Sequence, residues 1–329
     1  MILHDKGLYF KSADLWMDSS RKKDICYVSH AHADHTAKHK QVICTPETGA
    51  VVCQRLGKLN IKKLNYDEWF ENNGYRLKLF PAGHVLGSSQ VLVETNGHRL
   101  VYTGDFRLGK SYTCQPATVE KCDTLIMETT YGSPKYTFPD REEIERDFIA
   151  YIEDTLNQGV KPIVLAYAFG KAQEAMAMLA DKGIEVAVHE SIYKIARIYE
   201  RFGIKLCKFS KFRDSYFDGV LIIPPHVKKF KNIQSIKNKS ISMLTGWGVD
   251  GEDSFHSGVD RFFIISDHCD FNSLVDYVKE AEPSKIYTVH GFDKFAEHLR
   301  NLGFDAESME SQREYRLGST SPENLDLFK

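Results

Sequence analysis

"SHAHADH", residues 29–35, places three histidines and an aspartate within six positions, with only Ala31 and Ala33 between them. It follows the apolar run "ICYVS" (25–29), so the cluster is predicted on the loop leaving a strand, where sites on layered folds commonly lie. In an extended segment His30 and His32 project to the same side and can reach one cation. Asp34 and His35, adjacent where the chain turns, can diverge toward a second, and the two alanines keep other side chains out of the way. A lone histidine is more often a surface or hydrogen-bonded core residue than a ligand. Three with a carboxylate would be costly to bury unpaired, so this stretch points to a metal site.

Four further stretches repeat the design, each setting a polar residue just after an apolar strand. "LKLFPAGHVLGSS" presents His84, "LVYTGD" presents Asp105, "FFIISDHCD" presents His268 and "KIYTVHGF" presents His290. Glycines at 83, 87, 104 and 291 suit tight turns there.

Around these motifs the first third reads as short strands divided by turns, including an Asn96-Gly97 hairpin signal, with one helix after Thr45-Pro46 that ends at Gly57. Near residue 139 the pattern changes. Asp140 with Glu143 reads as a capping box, and Ile144, Phe148, Ile152 and Leu156 then recur at four-residue spacing as the stripe of an amphipathic helix. Strands and helices alternate after it, "PIVLAYA", "KAQEAMAMLADKG", "IEVAV", "IYKIARIYERFG", as in a parallel α/β layer.

The 329 residues are 42% hydrophobic and 27% charged, a globular balance with room for two domains. No apolar run reaches the roughly 20 residues of a membrane span, and "MILHDKGLYF" lacks the features of a secretory signal, so a cytoplasmic protein is expected. Seven scattered cysteines without a C-x-x-C pair argue for free thiols and against a disulfide framework or thiolate zinc site. The net charge of −2 hides a segregation: twelve Lys/Arg against four acids lie between His189 and Ser240, with aromatics interleaved in "KFSKFRDSYF" and "KKFKN". A solvated face is the bland explanation of a charge run, but segregation on this scale favours a polyanion-binding surface.

"HAHADH", with His84, Asp105 and His290 in order behind it, resembles the metallo-β-lactamase fold, and "METTYG", "SDHCD" and "TVHGF" resemble the additional motifs of its β-CASP nucleases. The resemblance runs over nearly the whole chain and implies an α/β, four-layer αββα sandwich (1–135 and 260–329) with an inserted α/β β-CASP-like domain (136–259) and a flexible tail from about 318. "PAGHVLGSSQV", "AYAFGKAQE" and "TGWG" look most like the bacterial ligase-associated DNA exonucleases. By resemblance, His30, His32 and His84 hold one divalent ion and Asp34, His35 and His290 another, with Asp105 between them and Asp18 of "LWMD" supporting the histidines. Zn²⁺ is the ion expected from such ligands and Mn²⁺ the alternative. Asp34, His268 and Glu128 are expected to act in catalysis, His268 donating to the phosphate or leaving group and Glu128 orienting it. The reaction implied is attack on a phosphodiester by a hydroxide generated between two cations.

Nucleic-acid contacts are expected at Lys171 and Gln173, where a strand passes into a helix, at Trp247 as a stacking surface, and at Lys208, Lys211 and Arg213 of the basic window. An ordinary helix start and a buried tryptophan are the structural alternatives. "NLDLF" near the C-terminus resembles a bacterial sliding-clamp-binding peptide, with Leu325, Leu327 and Phe328 as anchors. Together these features imply a DNA exonuclease acting on single strands in repair, functionally linked to a DNA ligase. A β-CASP ribonuclease is the alternative, and a glyoxalase II-like hydrolase explains neither the insert nor the basic window.

Overall fold

The computed structural model describes every residue except Met1, Asn73, 214–216, 251–257 and 310–329. The chain divides into two compact units, one of Met1–Lys110, Cys114–Pro134 and everything from His268 onward, the other of Ser111–Thr113 and Lys135–Asp267.

In the first unit six short strands form a sheet in chain order: β1 (Ile2–His4), β2 (Leu8–Phe10), β3 (Leu15–Met17), β4 (Ile25–Tyr27), β5 (Gln41–Cys44) and β6 (Ile61–Lys63). The first three are antiparallel, and β3 to β6 run parallel. Parallel β5 and β6 need a crossover, supplied by helix α1 (Pro46–Leu56). Thr45 Oγ1 accepts the Thr48 N–H at 3.2 Å, Pro46 occupies the first turn where no donor is needed, and Gly57 ends the helix at φ 86°.

A second sheet begins with the antiparallel strands β7 (Trp69–Asn72), β8 (Tyr75–Pro81), β9 (Ser89–Thr95) and β10 (His98–Tyr102). Asn96 and Gly97, both at positive φ (50° and 75°), close the β9–β10 hairpin as its sequence predicts. Strand β11 (Thr124–Glu128) joins β10 in parallel.

The second unit follows, with α2 (Arg141–Asn157), β12 (Lys161–Leu165), α3 (Lys171–Met178), β13 (Val186–Val188), α4 (Glu190–Arg201), β14 (Phe209–Lys211), β15 (Val220–Ile223), α5 (Lys231–Gln234), β16 (Lys239–Leu244) and β17 (Arg261–Phe263). Its six strands are all parallel, in the order β14-β13-β15-β12-β16-β17. Asp140 caps α2 by accepting the Glu143 N–H at 2.9 Å, and Phe148 and Ile152 of the predicted stripe enter the core on one face of the sheet. On the other face Ile163, Leu165, Leu221 and Met243 pack with Val227 and Ile233. The return to the first unit falls between Asp267 and His268, later than residue 260, because β17 pairs with β16 and so completes the inserted sheet.

Back in the first unit, α6 (Phe271–Ala281), β18 (Lys285–Val289), α7 (Asp293–Asn301) and β19 (Ala306–Ser308) complete the second sheet, whose order is β19-β18-β11-β10-β9-β8-β7. Leu15, Met17, Tyr27 and Ile43 of the first sheet pack between the sheets on Leu77, Leu79, Val91 and Val93. On the outer face of the second sheet Leu92, Val101 and Leu125 meet Leu274, Val278 and Phe295 of α6 and α7. The layers therefore run helix, sheet, sheet, helix, the αββα sandwich expected. Strands of period two that bury both faces read as nearly continuous apolar runs, which is why "QVLVET" and "TLIMET" look as they do.

Among the described residues no helix is long and apolar enough to cross a membrane. Among the described residues the cysteines form no disulfide, and five of the seven are buried.

The loop after β10 is a tight point of this frame. Gly104 sits at φ 53°, and a Cβ there would lie 2.5 Å from the Ser29 Cβ. Gly104→Ala should lower stability by about 2 kcal/mol or more through backbone strain and the displaced serine, read as a shift in the urea midpoint; an unchanged midpoint would show that the loop relaxes freely.

Candidate metal centre

The ends of the first unit's strands bring the sequence motifs together. The 29–35 loop leaves β4, His84 follows β8, Asp105 follows β10, Glu128 ends β11 and His290 follows β18. His30, His32, His84 and Asp105 each offer a ligand atom, and these atoms lie within 4.8 Å of one another. His30 Nε2 is 3.4 Å from Asp105 Oδ2, and His84 Nε2 is 3.8 Å from the same oxygen and 3.2 Å from His32 Nδ1. His35 Nε2 lies 3.4 Å from the same Asp105 Oδ2 and 3.5 Å from Asp34 Oδ2. The His290 ring lies 5.3 Å from the His35 ring, centroid to centroid, on a backbone at φ 53°. Of the seven side chains that the resemblance nominates, His30, His35 and His84 lie within 3.8 Å of the Asp105 carboxylate, His32 adjoins His84, and Asp34 and His290 adjoin His35.

Hydrogen bonding beneath this face sets which ring nitrogens point into it. Asp18 Oδ1 accepts the Ser29 N–H at 2.7 Å, and Oδ2 accepts the Ser29 hydroxyl at 2.5 Å and the Tyr102 hydroxyl at 2.9 Å. His35 Nδ1 lies 2.9 Å from the same Oδ2. A carboxylate has nothing to donate, so His35 carries a proton on Nδ1 and turns Nε2 toward Asp105 and Asp34. The same logic extends one step further. With its proton committed to Asp18, Ser29 Oγ can only accept from His30 Nδ1, 2.9 Å away, which leaves His30 Nε2 as a bare acceptor. That atom is fully buried and, among the described residues, has no hydrogen-bond partner. A buried lone pair without a donor is costly unless a cation meets it, and with imidazole and carboxylate ligands around it the site fits a divalent metal ion.

Electrostatics describe the same mismatch. Burial, aided by the positive charge of the neighbouring rings His35, His32 and His84, pulls His30 well below the ordinary histidine value. Burial pushes Asp105 up to about 7, with Glu128 and Asp34 adding to it and His35 and His268 opposing. Burial works against a charged His35, but Asp105, Asp34 and Asp18 together raise it well above its usual value.

A second arrangement adjoins this one. His268 Nδ1 lies 2.8 Å from Glu128 Oε1, and Glu128, fully enclosed, also accepts the Thr130 N–H at 2.9 Å and the Phe106 N–H at 3.3 Å. Burial raises the Glu128 carboxyl, but His268 and the Thr130 donors prevail and hold it below the ordinary glutamate value. His268 is partly exposed and its ring stands 4.6 Å from that of His84.

Several residues at the centre carry no signal in the motif reading. Ser29 opens the "SHAHADH" stretch and could have been weighed as a link between Asp18 and His30. Tyr102 is an inward position of β10 that looks like any core aromatic, and Arg55, whose guanidinium donates to the Ala31 carbonyl, comes from α1 far along the chain. His4 lies beside His290, with ring centroids 6.1 Å apart.

The expected nucleic-acid residues are placed differently from one another. Gln173 is fully buried, its Oε1 accepting the Gly170 N–H at 2.9 Å and its Nε2 donating to Ala168 O at 3.0 Å, so its amide is spent on starting α3. Lys171 is 5% exposed and paired with Asp267. Neither presents a polar head to solvent, because both are consumed by the strand-to-helix corner. Lys208 pairs with Glu185 at 2.6 Å and Lys211 with Glu190 at 2.9 Å, whereas Arg213 is exposed and among the described residues no acid meets it. Trp247 is 41% exposed, with its ring edge-on to Tyr136 at 5.2 Å. Leu325, Leu327 and Phe328 lie outside the described residues.

Known proteins share these features. The pattern of the Beta-lactamase superfamily domain matches residues 14–188, and that of the Zn-dependent metallo-hydrolase RNA specificity domain matches 257–310. A "Probable DNA ligase" of Opitutus terrae is 32% identical over 322 residues, covering 96% of this chain and 32% of that protein, so the chain spans about a third of its length. An "RNase J-like protein" of Methanocaldococcus jannaschii is 26% identical over 379 residues, covering 92% of this chain and 88% of that one. In three dimensions, a protein of unknown function from Enterococcus faecalis V583 superposes with a TM-score of 0.62 at 15% identity, over 86% of this chain and 78% of that one, a likeness of fold alone.

Asp18→Asn should keep the fold and weaken divalent-ion affinity by about 10–100-fold, since the amide nitrogen faces donors and releases the rings from their orientation. Metal titration of the purified protein reads this directly, and unchanged affinity would remove Asp18 from the supporting role.

Proposed function

This chain belongs to the metallo-β-lactamase-fold β-CASP nuclease family, and we propose that it hydrolyses phosphodiester bonds as an exonuclease on single-stranded DNA, in DNA repair. The observation that supports the hydrolytic reading is the grouping of His30, His32 and His84 with Asp105, with His35 against the same carboxylate and the His268–Glu128 pair beside them. The DNA reading is supported by the 96% coverage of this chain in a relative named as a DNA ligase. The ribonuclease reading has its own support, in the RNA specificity domain match and the RNase J-like relative. A small-molecule hydrolase would leave the inserted sheet and its basic window without a use.

In this reading His30, His32 and His84 hold one divalent ion, Zn²⁺ or Mn²⁺, and Asp34, His35 and His290 a second, with Asp105 shared. Such ions, when bound, neutralise charge on phosphate oxygens and supply a hydroxide at neutral pH. The protein's part is orientation and proton handling. Asp18 and Ser29 fix the tautomers of His35 and His30, so no ring has to reorganise as ligands bind. Glu128 accepts the His268 Nδ1 proton and holds the ring still, leaving Nε2 to donate to a phosphate oxygen or to the departing sugar oxygen. The C-terminal "NLDLF" would tie the enzyme to the sliding clamp, Leu325, Leu327 and Phe328 entering an apolar groove.

End-labelled single-stranded DNA and RNA of one sequence, incubated with Mn²⁺ or Zn²⁺, test the reading against a His32→Ala/Asp34→Ala control. Faster shortening of the DNA from one end is expected, and preference for the ribose strand would favour the second reading. His268→Ala should keep its metal content and lose turnover by about 100-fold or more; loss of metal in parallel would make His268 a ligand instead. Purified clamp should bind wild type and fail to bind Leu327→Ala/Phe328→Ala, and equal binding would discard the tail's proposed role.

A further inference from the structure

The basic window of the second unit is not one surface. Its first part, through α4 and β14, is largely neutralised. Glu190 meets Lys194 at 3.3 Å and Lys211 at 2.9 Å, Glu200 meets Arg197, and Asp181 and Glu185, from outside the window, meet Lys205 and Lys208 at 2.6 Å each. The second part differs. Residues 225–240 hold five lysines and no acid.

Those lysines flank, along the chain, an aromatic residue that the fold leaves exposed. Phe230, 51% exposed, stands between the 3₁₀ turn Pro225–Lys229 and helix α5. Its neighbours anchor the segment from below: Val227 (2% exposed) and Ile233 (0%) are buried in the core on that face of the parallel sheet. The backbone is pinned as well, Phe230 N–H donating to Val227 O at 2.9 Å and Phe230 O accepting from Gln234 at 3.0 Å. An exposed ring on a fixed backbone presents its face to a partner at little entropic cost. Lys239 is turned inward to the carbonyls of Gln234 and Ile236, both at 2.8 Å. Lys229, Lys231 and Lys237 are exposed, and among the described residues no acid meets them. Burial, aided by the adjacent Lys229 charge and opposed by Asp260, pulls Lys228 below the usual lysine value.

We propose that Phe230 with Lys229, Lys231 and Lys237 forms a single-strand-binding platform on the inserted domain, Phe230 stacking on a base while the lysines bind flanking phosphates. It rests on the nuclease reading above and adds to it a site that holds the strand by stacking and charge, independent of base identity. A nucleic acid is favoured over an acidic peptide or an anionic membrane because a lone rigid ring among separated ammonium groups matches a repeating base and phosphate. A membrane-binding face would need a broader apolar surface beside its cations.

The experiment is fluorescence anisotropy of labelled dT20, with phosphatidylserine vesicles as a second probe, in EDTA so that no strand is cut. Phe230→Ala should weaken dT20 binding about tenfold while leaving the salt dependence of the affinity unchanged, and Phe230→Trp should restore it. Lys229→Ala/Lys231→Ala should weaken binding and flatten the slope of log affinity against log salt by about 0.7 for each phosphate no longer neutralised. Equal affinities and slopes in wild type and variants, with wild type still binding and cutting DNA, would overturn the platform alone. A wild type that binds no nucleic acid would overturn the platform and the nuclease reading together, and vesicle binding abolished in the same variants without an effect on dT20 would assign the surface to a membrane.

Discussion

A single carboxylate, Asp18, accepts four hydrogen bonds at the base of the candidate centre, and the arrangement of the histidines above it depends on them. Because a carboxylate can only accept, each bond decides where a proton resides, directly for His35 and through Ser29 for His30. The outcome is two buried imidazoles with fixed outward nitrogens, His30 Nε2 as a bare acceptor and His35 Nε2 turned toward Asp105 and Asp34. Water would have satisfied those nitrogens in the unfolded chain. In the folded protein a divalent cation would do so, and folding thereby prepares a binding geometry before any ligand arrives.

This constraint accounts for the concentration of the chemistry at one end of the first unit. The residues that meet come from the ends of six strands, and strand ends are where the backbone is free to turn while the ladder behind it stays rigid. Left-handed backbone at Asp18 and His290, and glycine at 104, are the local costs of that placement. Packing of Leu15, Met17 and Tyr27 against the second sheet holds the turns in register, so burial far from the metal face is part of what positions the ligands.

The second unit follows a different logic. A parallel sheet with apolar residues on both faces is held by its core, and its surface is free to vary in charge. Of the twelve basic residues that sequence groups together, those on α4 and β14 largely find carboxylates, while Lys229, Lys231 and Lys237 find none among the described residues. Exposed ion pairs contribute little to stability, and their consequence here is to divide the surface into a neutral part and a cationic part.

Much of this was legible in the linear sequence because it is written in short-range pattern. Strand periodicity, the Thr45-Pro46 and Asp140 helix starts, the Asn96-Gly97 hairpin and the density of histidine in residues 29–35 are each local, and local geometry dictates them. Edge strands such as β1 and β6 were not legible, since three half-exposed residues carry no periodic signal. Nor could sequence tell that Gln173 and Lys171 are consumed by the corner they occupy, that Tyr102 reaches Asp18 across the sheets, or which lysines keep their charge uncompensated. Each of those depends on which side chain arrives from elsewhere in the chain, and a hydrogen bond or an ion pair has no existence until tertiary packing brings its two partners within about 3 Å.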